Sequence, residues 1–282
     1  MLKLLLSYID KRPVVIGYNE SLLKVLREIL GRNRNHAILV DDNAKIWGIL
    51  SIRDAAKAIF IEGEEGVELI ELGTLGKVLE SPAKIYASTP PLSISTDFSL
   101  KEAVELMIEK NIGFLPVLGN GGELLGALEE KSLAKAILGL ESVSVCEKTT
   151  WDLVTIESDE EILAAVGIML TYGIRHIVVK EDDSIYGLAS LLKALYHITS
   201  EKSIRDLLRG SRAPIEEKVK IIAENPWILD CSYQMNEAAS FIAADRMGAV
   251  LIKDQKDRYG ILTDRDLLKI LYEELSKEKG EI

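Results

Sequence analysis

Four times along the chain, an apolar strand-like stretch is followed by a turn and then by a second stretch that carries a glycine. The four are Ala37-Ile38-Leu39-Val40 with Gly48, Phe114-Leu115-Pro116-Val117 with Gly126, His176-Ile177-Val178-Val179 with Gly187, and Ala249-Val250-Leu251-Ile252 with Gly260. Each first stretch begins 11 or 12 residues before its glycine. That distance predicts a β-hairpin with a short loop. Asp41-Asp42-Asn43, Gly119-Asn120-Gly121-Gly122, Asp182-Asp183-Ser184 and Asp254-Gln255-Lys256 supply the turn residues. A repeat of this kind restricts the fold to copies of one small unit.

Upstream of each hairpin the apolar residues change to a helical period. Leu22, Val25, Leu26, Ile29 and Leu30 fall on one face, as do Leu100, Ala103, Val104, Met107 and Ile108, and Ile162, Ala165, Val166, Met169 and Leu170. Ala238, Phe241 and Ile242 form a looser fourth copy. Short β-prone stretches precede these helices at Val14-Val15-Ile16, Leu92-Ser93-Ile94, Val154-Thr155-Ile156 and Trp227-Ile228-Leu229. A second helix follows each glycine strand, as from Asp54 to Phe60 and from Asp264 to Leu275. Each unit therefore reads β-α-β-β-α, an α/β (α+β) pattern, and a unit of about 45 residues buries too little surface to stand alone. Pairing of neighbours is expected, with a boundary near Glu141. This gives a first pair over 1–141 (repeats at 13–61 and 88–140) and a second over 142–282 (repeats at 146–199 and 224–277). Glu62-Gly63-Glu64-Glu65-Gly66 and Ser88-Thr89-Pro90-Pro91 read as surface linker, and Glu64-Glu65-Glu68-Glu71 as a solvated face.

Composition removes several classes. Lys and Arg number 34 against 45 Asp and Glu, a formal charge of −11, and neither half is basic, which argues against phosphate-driven nucleic-acid binding. There is no apolar run of membrane-spanning length, and Met1-Leu2-Lys3-Leu4-Leu5-Leu6 meets Ser7 and Asp10 too soon for a signal-peptide core. A soluble, cytoplasmic protein is the expectation. Cys146 and Cys231 are far apart without a C-x-x-C, which argues against a disulfide framework or a thiolate zinc site; both read as structural thiols. Gln occurs only at Gln234 and Gln255, a depletion that points to a thermophile. No nucleophile–base pair, phosphate loop or metal spacing is found, so no catalytic residue is assigned and the chain reads as non-enzymatic.

The repeat resembles the cystathionine-β-synthase (CBS) domain family. Gly48-Ile49-Leu50-Ser51-Ile52-Arg53-Asp54 and Gly260-Ile261-Leu262-Thr263-Asp264-Arg265-Asp266 carry its glycine, hydroxyl and acid in full. Phe114-Leu115-Pro116-Val117 and Gly173-Ile174-Arg175-His176-Ile177-Val178-Val179 match its other hallmark strand. Repeat 2 reads Gly126-Ala127-Leu128-Glu129-Glu130-Lys131-Ser132, without hydroxyl or acid in place, and repeat 3 has Ser190 but Lys193 instead of the acid. The resemblance implies four tandem repeats in two pseudo-two-fold modules, each with one full nucleotide site in a cleft between paired repeats.

In that family the acid binds the ribose hydroxyls, a role that falls on Asp54 and Asp266. Ser51 and Thr263 lie at the mouth of the following helix, where a phosphate is favoured. Adenine would rest near Ile16 and His36 in one site and Ile228 and Met247 in the other. Arg175 and His176 are the cations expected to face Asp266, with Arg265 beside it, while the first site relies on Arg53, Arg34 or His36. The same Ser51-x-x-Asp54 and Thr263-x-x-Asp266 spacing is that of a helix capping box, and the two roles can coexist.

The resemblance thus implies an energy-sensing regulatory protein that binds AMP, ADP or ATP, without any cofactor of catalysis. S-adenosylmethionine, 5′-methylthioadenosine or NAD stay open because they share the adenosine part. Its partners would be an unknown regulated protein and a second copy in a homodimer, with no membrane. A ligand-independent interaction scaffold is the alternative.

Overall fold

The computed structural model describes residues 5–63, 66–138, 143–244 and 247–277. All four repeats fold with the expected element order. Repeat 1 is β1 (Val14–Gly17), α1 (Leu22–Gly31), β2 (His36–Val40), β3 (Ile46–Ser51) and α2 (Ile52–Ile59). A hairpin of β4 (Phe60–Gly63) and β5 (Gly66–Leu69) and the helix α3 (Leu72–Glu80) come next. Repeat 2 is β6 (Ile94–Ser95), α4 (Leu100–Glu109), β7 (Phe114–Leu118), β8 (Leu124–Glu129) and α5 (Glu130–Ile137), followed by the short helix α6 (Val145–Lys148). Repeat 3 is β9 (Thr155–Glu157), α7 (Ile162–Thr171), β10 (His176–Glu181), β11 (Ser184–Ser190) and α8 (Leu191–Ile198), followed by α9 (Glu201–Leu208) and α10 (Ala213–Glu216). Repeat 4 is β12 (Ile228–Asp230), α11 (Met235–Ala244), β13 (Ala249–Lys253), β14 (Tyr259–Thr263) and α12 (Asp264–Lys277).

Local chemistry sets these elements. Ser21 starts α1 by accepting the Lys24 N–H at 3.2 Å, and Ser99 and Glu102 start α4 with a reciprocal capping box. The apolar face of α1 is fully buried at Leu22, Val25, Leu26 and Ile29. In every repeat the first strand runs parallel to the second, and the second pairs antiparallel with the third, giving three-stranded sheets. The predicted linker at 62–66 belongs instead to the β4–β5 ladder, where Phe60 pairs Leu69 and Gly63 pairs Gly66; Glu64 and Glu65 lie outside the described residues.

The compact units do not follow the expected halves. One unit comprises 1–13, 92–153 and 226–282, and so holds repeats 2 and 4; the other comprises 14–91 and 154–225, and holds repeats 1 and 3. The expected boundary at Glu141 lies outside the described residues, and the chain instead changes unit at Pro13/Val14, Pro91/Leu92, Leu153/Val154 and Asn225/Pro226. The reason is helix packing. In the unit of repeats 1 and 3, α2 packs on α8, and Ala55, Ala56 and Ile59 share a core with Leu191, Ala194, Leu195 and Ile198. In the unit of repeats 2 and 4, α5 packs on α11 and α12, and Leu133, Ala134 and Ile137 share a core with Ala238, Ile242, Leu268 and Leu271. Alanines at these crossings let the helices approach closely, and each fully buried Leu or Ile contributes about 1.5–3 kcal/mol.

Within each unit, the segment leading into a repeat of the other unit closes on a glycine strand. Asp10, ahead of repeat 1, forms a β-bridge to Ala127 of repeat 2, and Ser88, ahead of repeat 2, bridges Ile49 of repeat 1. Thr150, ahead of repeat 3, bridges Ile261 of repeat 4, and Glu224, ahead of repeat 4, bridges Leu188 of repeat 3. Each bridge lands one residue past the repeat's glycine, because that is where another backbone comes within contact. A Cβ on Gly48 would meet the Ser88 carbonyl oxygen at 2.9 Å.

Cys146 and Cys231 correct the reading of them as thiols. They form a disulfide with Cα atoms 5.2 Å apart. Although 85 positions separate them, the Val145 N–H donates to Tyr233 O and the Met235 N–H to Val143 O, so the two strands of chain run side by side. Among the described residues no helix is long and apolar enough to cross a membrane.

Candidate functional site

The hydroxyl–acid motif sits where a hairpin strand turns into a helix. In repeat 1, Ser51 ends β3 and caps α2: its Oγ accepts the Asp54 N–H at 3.1 Å. Asp54 reciprocates through Oδ2, which accepts from the Ser51 N–H at 3.0 Å and from Ser51 Oγ at 2.6 Å. In repeat 4, Asp266 Oδ2 likewise accepts from the Thr263 N–H and from Thr263 Oγ1, both at 2.9 Å. The capping box is complete at Ser51–Asp54, and at Thr263–Asp266 the acid's half of it is formed. Both carboxylates spend one oxygen on the cap. Asp54 Oδ1 accepts no hydrogen bond among the described residues, and Asp266 Oδ1 meets only the exposed Lys269 Nζ at 3.5 Å.

The hairpin places the other predicted residues around this turn. His36 lies directly across the ladder from Ser51, partly buried, and Ile16 sits on the neighbouring strand opposite Leu39. Ile228 opens β12 half-exposed opposite Leu251, and Met247 precedes Gly248, whose carbonyl accepts the Asp264 N–H at 3.0 Å. That last bond recurs in every repeat: Asn35, Gly113 and Arg175 accept from the N–H groups of Ile52, Glu130 and Leu191. It pins the first helical residue to the start of the hairpin.

Arg53 and Arg265 make contacts between the repeats of their units. Arg53 Nη2 donates to the Gly173 carbonyl of repeat 3 at 2.5 Å. Arg265 Nη1 donates to Ile112 O at 3.1 Å and to Glu130 Oε1 at 2.8 Å, and its Nη2 to Asn111 Oδ1 at 2.5 Å, all in repeat 2. Gly173 and Asn111 are equivalent turn residues with left-handed backbones, φ 65° and 52°. In both units the motif arginine thus crosses to the same turn of the other repeat. Arg175 and His176 belong to the unit that holds Asp54, while Asp266 belongs to the other. Arg34, on the turn after α1, is partly buried.

The degenerate repeats fill the same position differently. In repeat 2 the order is reversed, with Glu129 at the cap and Ser132 three residues on; Ser132 Oγ accepts from the Glu129 N–H and donates to Glu129 O. In repeat 3 the Lys193 N–H is capped by Ser190, and its ammonium pairs with Glu224. Sequence reasoning missed Glu224, Ser88, Thr150 and Asp10, since the lead-ins carry no fixed spacing to the glycines. It also missed the nearly buried Glu130, for which Gly113 is the only signal: a Cβ there would lie 2.7 Å from Glu130 Cδ. Among the described residues no cluster of His, Cys, Asp and Glu is arranged to hold a metal ion.

The CBS domain family model matches residues 6–61, 83–139 and 145–200. The chain is 24% identical over 263 residues to a 33.4 kDa protein in the ribosomal RNA operon of Thermofilum pendens, covering 91% of this chain and 87% of that one. It is 23% identical over 175 residues to an A-adding tRNA nucleotidyltransferase of Aquifex aeolicus, but this is 61% of the chain and only 21% of that enzyme. Among solved structures, protein MJ1225 of Methanocaldococcus jannaschii, described as a proposed archaeal homolog of g-AMPK, superposes with a TM-score of 0.82. The identity is 16%, over 95% of this chain and 99% of that one. A conserved protein of Pyrococcus horikoshii matches with a TM-score of 0.60 at 14% identity, over 95% and 99%. With the family model covering more than half of the sequence, and a fourth unit of the same element order completing the set, the chain belongs to the CBS domain family.

Proposed function

We propose that the protein is a non-catalytic regulator that binds an adenine nucleotide, AMP, ADP or ATP, or a related adenosyl ligand, at repeats 1 and 4. It would relay occupancy to a partner or to its own assembly. The observation that carries the reading is the carboxylate oxygen left over by the cap, Oδ1, which accepts no hydrogen bond among the described residues on Asp54 and meets only Lys269 Nζ at 3.5 Å on Asp266. In the two repeats that keep hydroxyl and acid, the cap takes Oδ2 and leaves Oδ1 of Asp54 and Asp266 at the helix mouth. A ribose hydroxyl donating to that oxygen makes a charge-assisted bond without breaking the cap. A phosphate would then lie toward the positive end of the α2 or α12 dipole. Adenine would rest on Ile16 and His36 in repeat 1, and on Ile228 and Met247 in repeat 4.

Repeat 1 is the better match for a phosphorylated ligand. The first turn of α2 carries Asp54 alone, whereas that of α12 carries both Asp264 and Asp266. The unit of repeat 1 also contains Arg175 and His176. Regulation would work by population shift, limited by the ligand's differential affinity for the two arrangements. The capping boxes themselves favour a second reading, in which the acids serve folding only and the repeats form a ligand-independent interaction scaffold.

A thermal-shift panel with AMP, ADP, ATP, S-adenosylmethionine and NAD on wild type, Asp54→Ala and Asp266→Ala separates the two. A ligand at 100 times its dissociation constant adds about 2.7 kcal/mol, several degrees for a chain of this size. A rise in Tm that one or both variants lose supports the sensor. A flat panel on all three proteins leaves the scaffold, and turnover of the nucleotide on long incubation would point to an enzyme.

A further inference from the structure

The lead-in residue that bridges each glycine strand follows the state of that repeat's motif. Repeats 1 and 4, which keep hydroxyl and acid, place Ser88 and Thr150 there; repeats 2 and 3, which have lost the pair, place Asp10 and Glu224. Ser88 and Glu224 occupy equivalent positions within one unit. A Cβ on Gly48 would meet Ser88 O at 2.9 Å and Ala87 Cβ at 3.2 Å, and one on Gly187 would meet Glu224 O at 2.9 Å and Ala223 Cβ at 3.2 Å.

Lys193 stands where repeat 1 has Asp54, at the third position of a helix capped by a serine in both cases. Its ammonium is paired with the Glu224 carboxylate, so the two side chains span the gap between helix mouth and lead-in. In repeat 1 that gap lies between Asp54 and Ser88. The side chains are 26% and 38% exposed, so the pair adds little stability. Its effect is on what can enter: an ammonium has no lone pair to accept from a ribose hydroxyl, and the paired side chains occupy the gap itself.

We propose that the Lys193–Glu224 pair closes the site of repeat 3, and that the lead-in residue, hydroxyl or acid, decides which repeats accept a nucleotide. The inference rests on the adenosyl site proposed above and sets the stoichiometry at two ligands per chain, in repeats 1 and 4. Repeat 2 is closed by the same rule, with Asp10 on its lead-in and Ser132 held by the Glu129 backbone.

Equilibrium dialysis of the full chain with saturating AMP tests it. Wild type should bind two equivalents, the double variant Lys193→Asp/Glu224→Ser three, and Ser88→Glu one, with circular dichroism confirming that each variant is folded. Two equivalents in the folded double variant, three in wild type, or two in Ser88→Glu would each overturn the closure. The Ser88→Glu arm stays decisive should the double variant fail to fold. No binding by any of the three proteins would sink the nucleotide reading, and the closure with it, an outcome distinct from two equivalents throughout.

Discussion

Cutting the Arg265–Glu130 bridge from its two ends should cost unequal amounts. Glu130 opens α5 with its side chain 5% exposed, and Arg265 lies in the first turn of α12 at 23%. In Arg265→Ala the nearly buried carboxylate loses the guanidinium 2.8 Å away, and breaking a buried pair from one side costs about 3–5 kcal/mol. In Glu130→Ala the guanidinium keeps Ile112 O and Asn111 Oδ1 and retains some solvent. The loss then reduces to one charge-assisted hydrogen bond, about 1.5–3 kcal/mol. Replacing both by Met and Leu should recover most of the larger penalty, because a packed apolar pair needs no compensating charge.

The tryptophans make the measurement specific. Trp151 and Trp227 lie in the unit of repeats 2 and 4, and Trp47 in the other. On a Trp47→Phe background, urea unfolding followed by fluorescence therefore reports the unit that contains the bridge. Trp151 is a sensitive probe, since the Arg258 guanidinium lies 4.6 Å from its ring centre. Equal penalties for the two single variants, or penalties that add without coupling in the double variant, would refute the assignment of a buried, one-sided charge.

Two further outcomes follow from the fold. Reducing the Cys146–Cys231 disulfide releases a loop of 85 residues that contains all of repeat 3. Loop entropy puts the loss at about 4.6 kcal/mol. The unit of repeats 2 and 4 should melt roughly 15 °C lower with a phosphine reductant or in Cys146→Ser. A thiol titration of the unreduced protein that found both sulfhydryls would remove the basis for this. Gly187→Ala would press a methyl group onto the Glu224 carbonyl at 2.9 Å, so the bridge to Leu188 must open at a cost of about 1–3 kcal/mol. Amide exchange should quicken at Leu188 and Glu224; unchanged protection there would show that the glycine is not needed for the close approach.

What the sequence revealed was local. Apolar residues at helical period on α1, α4 and α7, and hairpins closed by Asp- and Gly-rich turns, depend on neighbours a few positions away, so their spacing predicts them. The Ser51–Asp54 and Thr263–Asp266 pairs were legible for the same reason. The choice of core partner was not, because α2, α5, α8 and α12 present similar apolar faces. Small differences in packing decide that Ala55 and Ala56 of repeat 1 meet repeat 3. Glu130 reads in sequence as an ordinary acid at a helix start, and only the fold shows it nearly buried against an arginine 135 positions away. Ser88 and Glu224 become comparable only once the backbone puts them at equivalent glycines.

The loss of the motif from repeats 2 and 3 then acquires a structural meaning beyond decay. Each compact unit pairs one repeat that keeps hydroxyl, arginine and acid with one that keeps neither full motif nor arginine. The arginine of the complete repeat reaches the left-handed turn of the incomplete one, Arg53 to Gly173 and Arg265 to Asn111 and Ile112. In both cases it sits one residue before the acid proposed to hold the ribose, on the same turn of helix. A ligand that draws on Asp54 or Asp266 therefore acts on the turn that also holds the two repeats together. Coupling requires only that ligand affinity differ between the latched and unlatched arrangements, by the same amount that the latch favours one of them. If the proposed ligand binds at these acids, one repeat of each unit would sense it and the other receive the change.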